Sequence, residues 1–347
     1  MAIGATTNND ANFTERDVRK DFTKAIAMET PIRARFKTGP APLSTTPEWG
    51  IEGFHAPSKA GWPEGKRPAD ADAQNNTETQ NMLKGRFIKL LRPVRITKEQ
   101  MLMGAQYVNG GVKGNKAILA KSVTQASTEI YVDCEYQIMS DDESVVPVGS
   151  VTASTSRSLL RWLSNANGRF TDAATTPDAA VRTPASNIVV SKATPADVSE
   201  VDVRGLITAV VTARKKAGLK LLGVCQPLMR DRFDDYTRIA GTSLTETTAE
   251  QTVYRFSQKP GSIERDVTFY KSSNGRIELD TCFHMDASCH LAVLTPELIE
   301  LGYAQGVMVN EDHSTSAQVQ EREVDTLYVT APLLLTAHGK VITGATA

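Results

Sequence analysis

Cysteine is scarce in this chain: Cys134, Cys225, Cys282 and Cys289 are the four in 347 residues. A disulfide framework belongs to shorter and denser sequences, so reduced thiols and folding in a cytoplasm are expected. No stretch approaches the roughly 18–20 consecutive apolar residues that a membrane-spanning helix requires. The opening MAIGATTNND has neither the basic start nor the apolar core of a signal peptide. Charge of one sign is also missing, with 39 Lys and Arg against 40 Asp and Glu, a formal net charge of -1. A dedicated nucleic-acid binder would carry a clear basic excess, so only a local basic face is left open. Catalytic signatures are absent too: there is no G-x-S-x-G, H-E-x-x-H, Walker-type or dinucleotide glycine pattern.

What is present begins with an unusual first quarter. Phe13, Val18, Phe22 and Ile26 give Asn12–Ala27 some helical character, which Pro31 ends. Residues 38–68 then carry Pro40, Pro42, Pro47, Pro57, Pro63 and Pro68 with five glycines between them, which forbids long regular elements. Trp49, Phe54 and Trp62 sit in the same stretch, and a disordered linker would be poor in aromatics. An ordered extended loop that buries its aromatics on a neighbouring copy satisfies both facts. Ala69–Asn76 reads as its polar tip. Lys84–Lys98 returns with six basic residues and no acid, as the second arm of a two-stranded excursion, out near 50 and back near 90.

The remainder is α+β. Leu119, Val123, Ala126, Ile130, Cys134 and Ile138 recur at helical spacing and predict a long helix over 112–138. A short helix is expected at Ser158–Asn165, and a polar surface crossing at 171–199. Ser199 with Asp202 is a capping box for a helix that Gly218 stops. Leu219–Cys225 predicts a strand and Leu228–Tyr236 a charged helix. Asn274-Gly275 marks a hairpin between Val267–Tyr270 and Arg276–Leu279. Leu291–Leu294 and Thr326–Thr330 are further strands.

Groups that could carry chemistry are few. Cys282, His284, Cys289 and His290 are zinc-ligand types, but their spacing fits no common finger. The plainer reading is a hairpin with two buried thiols and two incidental histidines. Asn109–Gly114 is glycine-rich ahead of a helix yet lacks the full phosphate-loop pattern, and a flexible helix entry is expected. Asp141-Asp142-Glu143 reads as a solvated loop. Arg230 and Arg232, with Asp231, Asp234 and Asp235, read as an exposed helix face or a salt-bridge row between subunits. No catalytic, cofactor or metal residues are assigned.

Three segments carry a family resemblance. Leu119–Ile138, led by Met101–Tyr107 and followed by Ser156–Leu163 (SRSLLRWL), is the first. Lys220–Phe233 (KLLGVCQPLMRDRF) is the second, and His290–Ala304 (HLAVLTPELIELGYA) the third. In this order they resemble the major capsid proteins of tailed bacteriophages, the HK-ninety-seven fold, in its SU-ten-like branch. The resemblance is diffuse and spans residues 20–335; the stretch 53–80 and the cysteine–histidine segment depart from it.

The resemblance implies an N-terminal arm at 1–48 and an extended loop at 49–95. It further implies a peripheral domain at 96–197 with its spine helix, an axial domain at 198–290, and a peripheral return with the C-terminus at 291–347. The implied function is a non-enzymatic shell subunit, assembled in host cytoplasm, that forms hexamers and pentamers of an icosahedral virion. Its implied partners are copies of itself, portal, scaffold or cement proteins, and packaged double-stranded DNA met by non-specific contact; there is no membrane partner. Trp49, Phe54, Trp62, Arg86, Lys89, Arg92, Arg230 and Arg232 are the expected inter-subunit contacts. Two alternatives stay open: the shell of an encapsulin-type nanocompartment, and a zinc-dependent enzyme using Cys282, His284, Cys289 and His290.

Overall fold

A computed structural model describes residues 30–53, 64, 79–97, 114–149, 151–216, 218–236, 269–310 and 319–344. The helical segment at Asn12–Ala27, the polar tip at Ala69–Asn76, Asn109–Lys113, Phe54 and Trp62 lie outside the described residues. The chain runs through β1 (Lys37–Gly39), β2 (Glu48–Gly53), β3 (Thr79–Lys84), β4 (Ile88–Thr97) and α1 (Gly114–Met139). Then come α2 (Leu159–Trp162), β5 (Ile188–Val189), α3 (Glu200–Arg214), β6 (Leu219–Cys225) and α4 (Pro227–Asp235). It ends with β7 (Phe269–Lys271), β8 (Gly275–Thr281), β9 (Cys289–Leu294), β10 (Ile299–Val309), β11 (Val319–Pro332) and β12 (Gly339–Ile342).

Helix α1 lies where the apolar spacing puts it. Ala126, Ile130, Cys134 and Ile138 are buried, and Leu119 and Val123 pack half-buried on the same core. That stripe covers a four-stranded sheet in the order β1-β10-β11-β4. Tyr328 of β11 is fully buried, and its hydroxyl donates to Gln137 Oε1 of α1 at 2.9 Å.

A second sheet has the order β5-β12-β9-β6-β8-β7, with β6 parallel to β8 and antiparallel to β9. Leu206, Ile207 and Val210 of α3 and Met229 and Phe233 of α4 cover one face, against Leu221, Ile277, Leu291 and Val293. Leu222, Val224, Ala292 and Leu294 on the other face join the core under α1. Strands buried on both sides are apolar without alternation, which is how LKLLGVC and CHLAVL read. Gly223 is the point of closest approach: a Cβ there would meet Ile277 Cγ2 at 2.5 Å and Leu279 Cδ2 at 2.9 Å.

Helix α3 has its capping box, with Ser199 Oγ accepting from the Asp202 amide at 3.2 Å and Asp202 Oδ2 accepting from the Ser199 amide at 2.8 Å. It ends before Gly218, because Lys215 takes the left-handed C-cap conformation at φ 51°. The hairpin around Asn274 is present, with Phe269 opposite Glu278.

Four readings need correction. Lys84 closes β3, which pairs with β2, whereas Ile88–Thr97 pairs along its whole length with Val319–Tyr328 of β11. The basic stretch therefore straddles a ribbon and a core sheet. Residues 171–199 run along the surface only in part, with positions such as Asp178, Ala179 and Ala180 exposed and several polar residues enclosed. Asp172, Thr175, Thr183 and Asn187 are buried, and Asn187 Nδ2 donates to the carbonyls of Thr336 and His338, each at 3.0 Å. The segment Cys282–His290 is no hairpin, because β6 lies between β8 and β9. Asp141-Asp142-Glu143 is not a solvated loop; its ion pairs are described below.

Two glycines test this packing. Gly223→Ala should cost about 1–3 kcal/mol by overpacking. Gly205→Ala, in α3 with nothing within 4 Å of the added carbon, should gain up to about 1 kcal/mol. Urea titration of the unassembled subunit measures both.

Candidate assembly site at the base of the ribbon

Strands β2 and β3 form an isolated two-stranded ribbon, from Glu48 opposite Lys84 to Gly53 opposite Thr79. Such a ribbon is marginal by itself and needs a surface to rest on. Its base supplies one. Leu83 is fully buried with Trp162, Val181 and Leu335, and Trp49 and Ile51 pack against this cluster. The Trp49 ring tilts against Trp162 at a centroid distance of 5.8 Å, and its Nε1 donates to the Pro332 carbonyl at 2.9 Å.

Immediately after the ribbon, Arg86 binds Asp172 with two hydrogen bonds, Nε to Oδ2 at 2.5 Å and Nη2 to Oδ1 at 3.2 Å. Ser144 Oγ donates to the same carboxylate at 3.0 Å. Burial alone would raise the Asp172 pKa, but hydrogen bonds from Arg86, Thr175 and Ser144 outweigh it and bring it from 3.8 to about 2.

Behind this pair lies a larger buried network. Arg157, 1% exposed, holds Glu143 Oε1 through Nη2 at 2.5 Å and donates from Nη1 to the Thr175 carbonyl at 2.8 Å. Its guanidinium stacks 4.4 Å from the centre of the Trp162 ring and 4.9 Å from that of Phe170. Burial lowers the Arg157 pKa, and Glu143 opposes that shift. Arg161 bridges Glu143 and Asp141, and Arg169 pairs with Asp141. The acidic run is thus the counter-charge for three arginines.

The residues expected to touch neighbours are largely engaged within the chain. Trp49 and Arg86 are held as described. Lys89 pairs with Asp325 at 3.3 Å, and Arg92 grips Asp133 with two bonds of 2.7 Å. Arg230 Nη1 donates to the Leu279 carbonyl at 2.7 Å and Arg232 Nε to the Val198 carbonyl at 3.3 Å. Arg230 and Arg232 therefore brace α4 against its own domain.

The cysteine–histidine set does not converge. Cys282 Sγ faces Glu135 Oε1 at 3.8 Å, Cys289 Sγ faces the Leu291 carbonyl at 3.6 Å, and His290 Nε2 faces the Lys192 carbonyl at 2.8 Å. Among the described residues, no three His, Cys, Asp or Glu side chains are grouped to hold a metal ion. Burial pushes the thiols of Cys225, Cys282 and Cys289 up to about 12, which disfavours the free thiolate that nucleophilic attack requires.

Asp172 and Arg157 escape a reading of the sequence alone. The signal that could have found Arg157 is charge matching: Arg157, Arg161 and Arg169 follow within thirty residues of the acidic run Asp141-Asp142-Glu143.

This architecture is that of tailed-phage and related capsid subunits. The fold is similar to the structure titled "Capsid structure of the Cyanophage P-SCSP1u" (TM-score 0.57, 10% identity, covering 97% of this chain and 94% of that one). It is also similar to "Capsid of native GTA particle" (0.56, 8%, 99% and 100%) and to a structure from Mycobacterium phage Adephagia (0.55, 11%, 100% and 100%). No curated protein gives a significant match. The family model described as SU10 major capsid protein matches residues 5–341. The chain belongs to that family and is a major capsid protein of a tailed-phage head.

The depressed Asp172 pKa makes a pH-dependent contribution to stability. A carboxylate held below its unfolded pKa stabilises fully above 3.8, and the contribution is lost as pH falls through about 2. The wild-type subunit should lose about 2 kcal/mol over that range through this group. Asp172→Asn should lack that part of the acid limb, as read by urea titration at stepped pH.

Proposed function

We propose that this chain self-assembles into the hexamers and pentamers of an icosahedral head that encloses double-stranded DNA, and that it does so without catalysis. Residues 1–48 serve as the N-terminal arm, and within the stretch 49–95 the ribbon side, 49–84, serves as the extended loop lying over the neighbouring subunit, since Ile88–Thr97 belongs to the core sheet. Residues 96–197 and 291–347 serve as the peripheral domain around α1 and 198–290 as the axial domain at the capsomer centre, with the six-stranded sheet crossing that boundary through β5, β9 and β12. Assembly takes place in host cytoplasm, with portal, scaffold or cement proteins as further partners.

The observation that carries this reading is the ribbon itself. It is anchored at one end in its own subunit, while outer positions such as Met82, 46% exposed, have no cover. A two-stranded element of this kind gains further stability from a second surface, and a head-to-tail ring of copies supplies one.

Apolar side chains elsewhere fit the same role. Leu228 and Phe283, 67% and 58% exposed, mark the axial region, and Val145, Val146, Val148 and Val151 mark the peripheral one. Exposed apolar clusters on a monomer are normally covered by partners. Phe54 and Trp62 would bury themselves on the next copy. Lys89, Arg92, Arg230 and Arg232 act there through solvent-facing parts of already paired charges, setting register more than affinity. With a net charge of -1, contact with packaged DNA is local, non-specific and salt-sensitive.

The ribbon register offers a direct test. Gly53 stands opposite Thr79, so residues 54–78 can be replaced by an Asn-Gly turn that closes β2 onto β3. The variant should stay folded by circular dichroism and fail to form closed particles by negative-stain microscopy, whereas the wild type forms them. Closed shells from the variant would refute the loop assignment. Nucleic-acid sequencing of purified wild-type particles should find phage DNA rather than a protein cargo.

A further inference from the structure

The ribbon joins the body through residues 83–88, and this short stretch is gripped from several separated parts of the same chain. Leu83 is buried against Trp162 of α2. Gly85 donates its amide to the Pro47 carbonyl at 2.9 Å. A Cβ on Gly85 would meet Val329 Cγ2 at 2.8 Å and Trp49 Cη2 at 3.1 Å, so the missing side chain is what lets the indole lie against β11. Arg86 holds Asp172 with its planar fork. Ser154 Oγ donates to the Phe87 carbonyl at 2.7 Å.

These contacts lie within the subunit and can hold the direction of the ribbon without a neighbour. The Glu48–Lys84 pair, by contrast, is 43% exposed on both sides and constrains little.

We propose that Trp49, Gly85 and the Arg86–Asp172 pair form a positioning clamp that fixes the angle between ribbon and body, and through it the curvature and size of the shell. This rests on the assignment of the ribbon to the subunit-bridging loop. The mechanism is a lever. Six residues per strand make a ribbon about 20 Å long, and a tilt of about 10° at its base moves its far end by about 3.5 Å. That displacement exceeds the tolerance of a hydrogen bond or a packed contact. Loosening the base therefore misplaces contacts that the mutated residue never touches.

The clamp residues are three chemically different stops. The indole packs and hydrogen-bonds, the glycine admits it, and the guanidinium–carboxylate fork resists rotation because it is held at two points.

The experiment combines hydrogen–deuterium exchange on the unassembled subunit with electron microscopy of assembled particles, for Trp49→Ala, Trp49→Phe and Arg86→Lys. Trp49→Ala should speed amide exchange in Glu48–Gly53 and Thr79–Lys84 by at least roughly ten-fold and leave α1 unchanged. Its particles should be open or broadly distributed in diameter. Trp49→Phe, which keeps a ring in the cluster, should narrow that distribution towards wild type.

If Trp49→Ala is insoluble, Arg86→Lys keeps the charge, loses the fork and is read by the same two measurements. A ribbon that exchanges faster while particles keep the wild-type diameter would overturn the clamp, and so would unchanged exchange. Closed shells after replacement of 54–78 would instead overturn the bridging assignment, with the exchange result left to judge the clamp as a local structure.

Discussion

The C-terminal half of α1 is the constraint on which the rest of the body depends. Ile130, Cys134, Ile138 and Met139 share one continuous core with Val324 and Tyr328 of the four-stranded sheet and with Leu222, Val224 and Ala292 of the six-stranded sheet. The two sheets are therefore not independent layers joined by linkers. Glu135 extends the tie: its buried carboxylate accepts from the amides of Ile32 and Arg33, each at 3.2 Å, and faces the Cys282 thiol. Burial raises the Glu135 pKa against those bonds, so the cost of enclosing the charge is only partly offset. One helix thus fixes the segment at Ile32 and Arg33 and the placement of both sheets.

A second feature is how much charge the subunit encloses. Arg157, Lys340 and Asp172 are all buried, and Lys340 donates to the Leu160 carbonyl at 3.0 Å and to Ser164 Oγ at 3.1 Å. Buried pairs of this sort add little net stability over an apolar core, but removing one partner costs about 3–5 kcal/mol. Their contribution here is directional. Charged forks permit one arrangement of α2, the Asp172 segment and the ribbon base, where a purely apolar contact would tolerate several.

Regular periodicity made much of this legible. The stripe on α1, the capping box of α3, the Asn274 turn and the unbroken apolar strands β6 and β9 follow from local chemistry, and each is present. Long-range pairing did not announce itself. Nothing local shows that Ile88–Thr97 leaves the ribbon for β11, or that β6 inserts between β8 and β9. The acidic triplet misled for the same reason: Asp141 and Glu143 are neutralised by arginines that only the fold brings near. Trp49 was legible as a buried aromatic, but its partner is Trp162 of its own chain.

The cysteines have a practical consequence. All four lie buried, and burial pushes Cys134 up to about 11 and the other three to about 12. At neutral pH the folded subunit therefore presents almost no thiolate to an alkylating or oxidising reagent. A single cysteine introduced at an exposed position would be the one reactive handle per subunit. A shell built from such subunits could then carry a fluorophore, spin label or conjugate on a regular lattice without removal of any native cysteine.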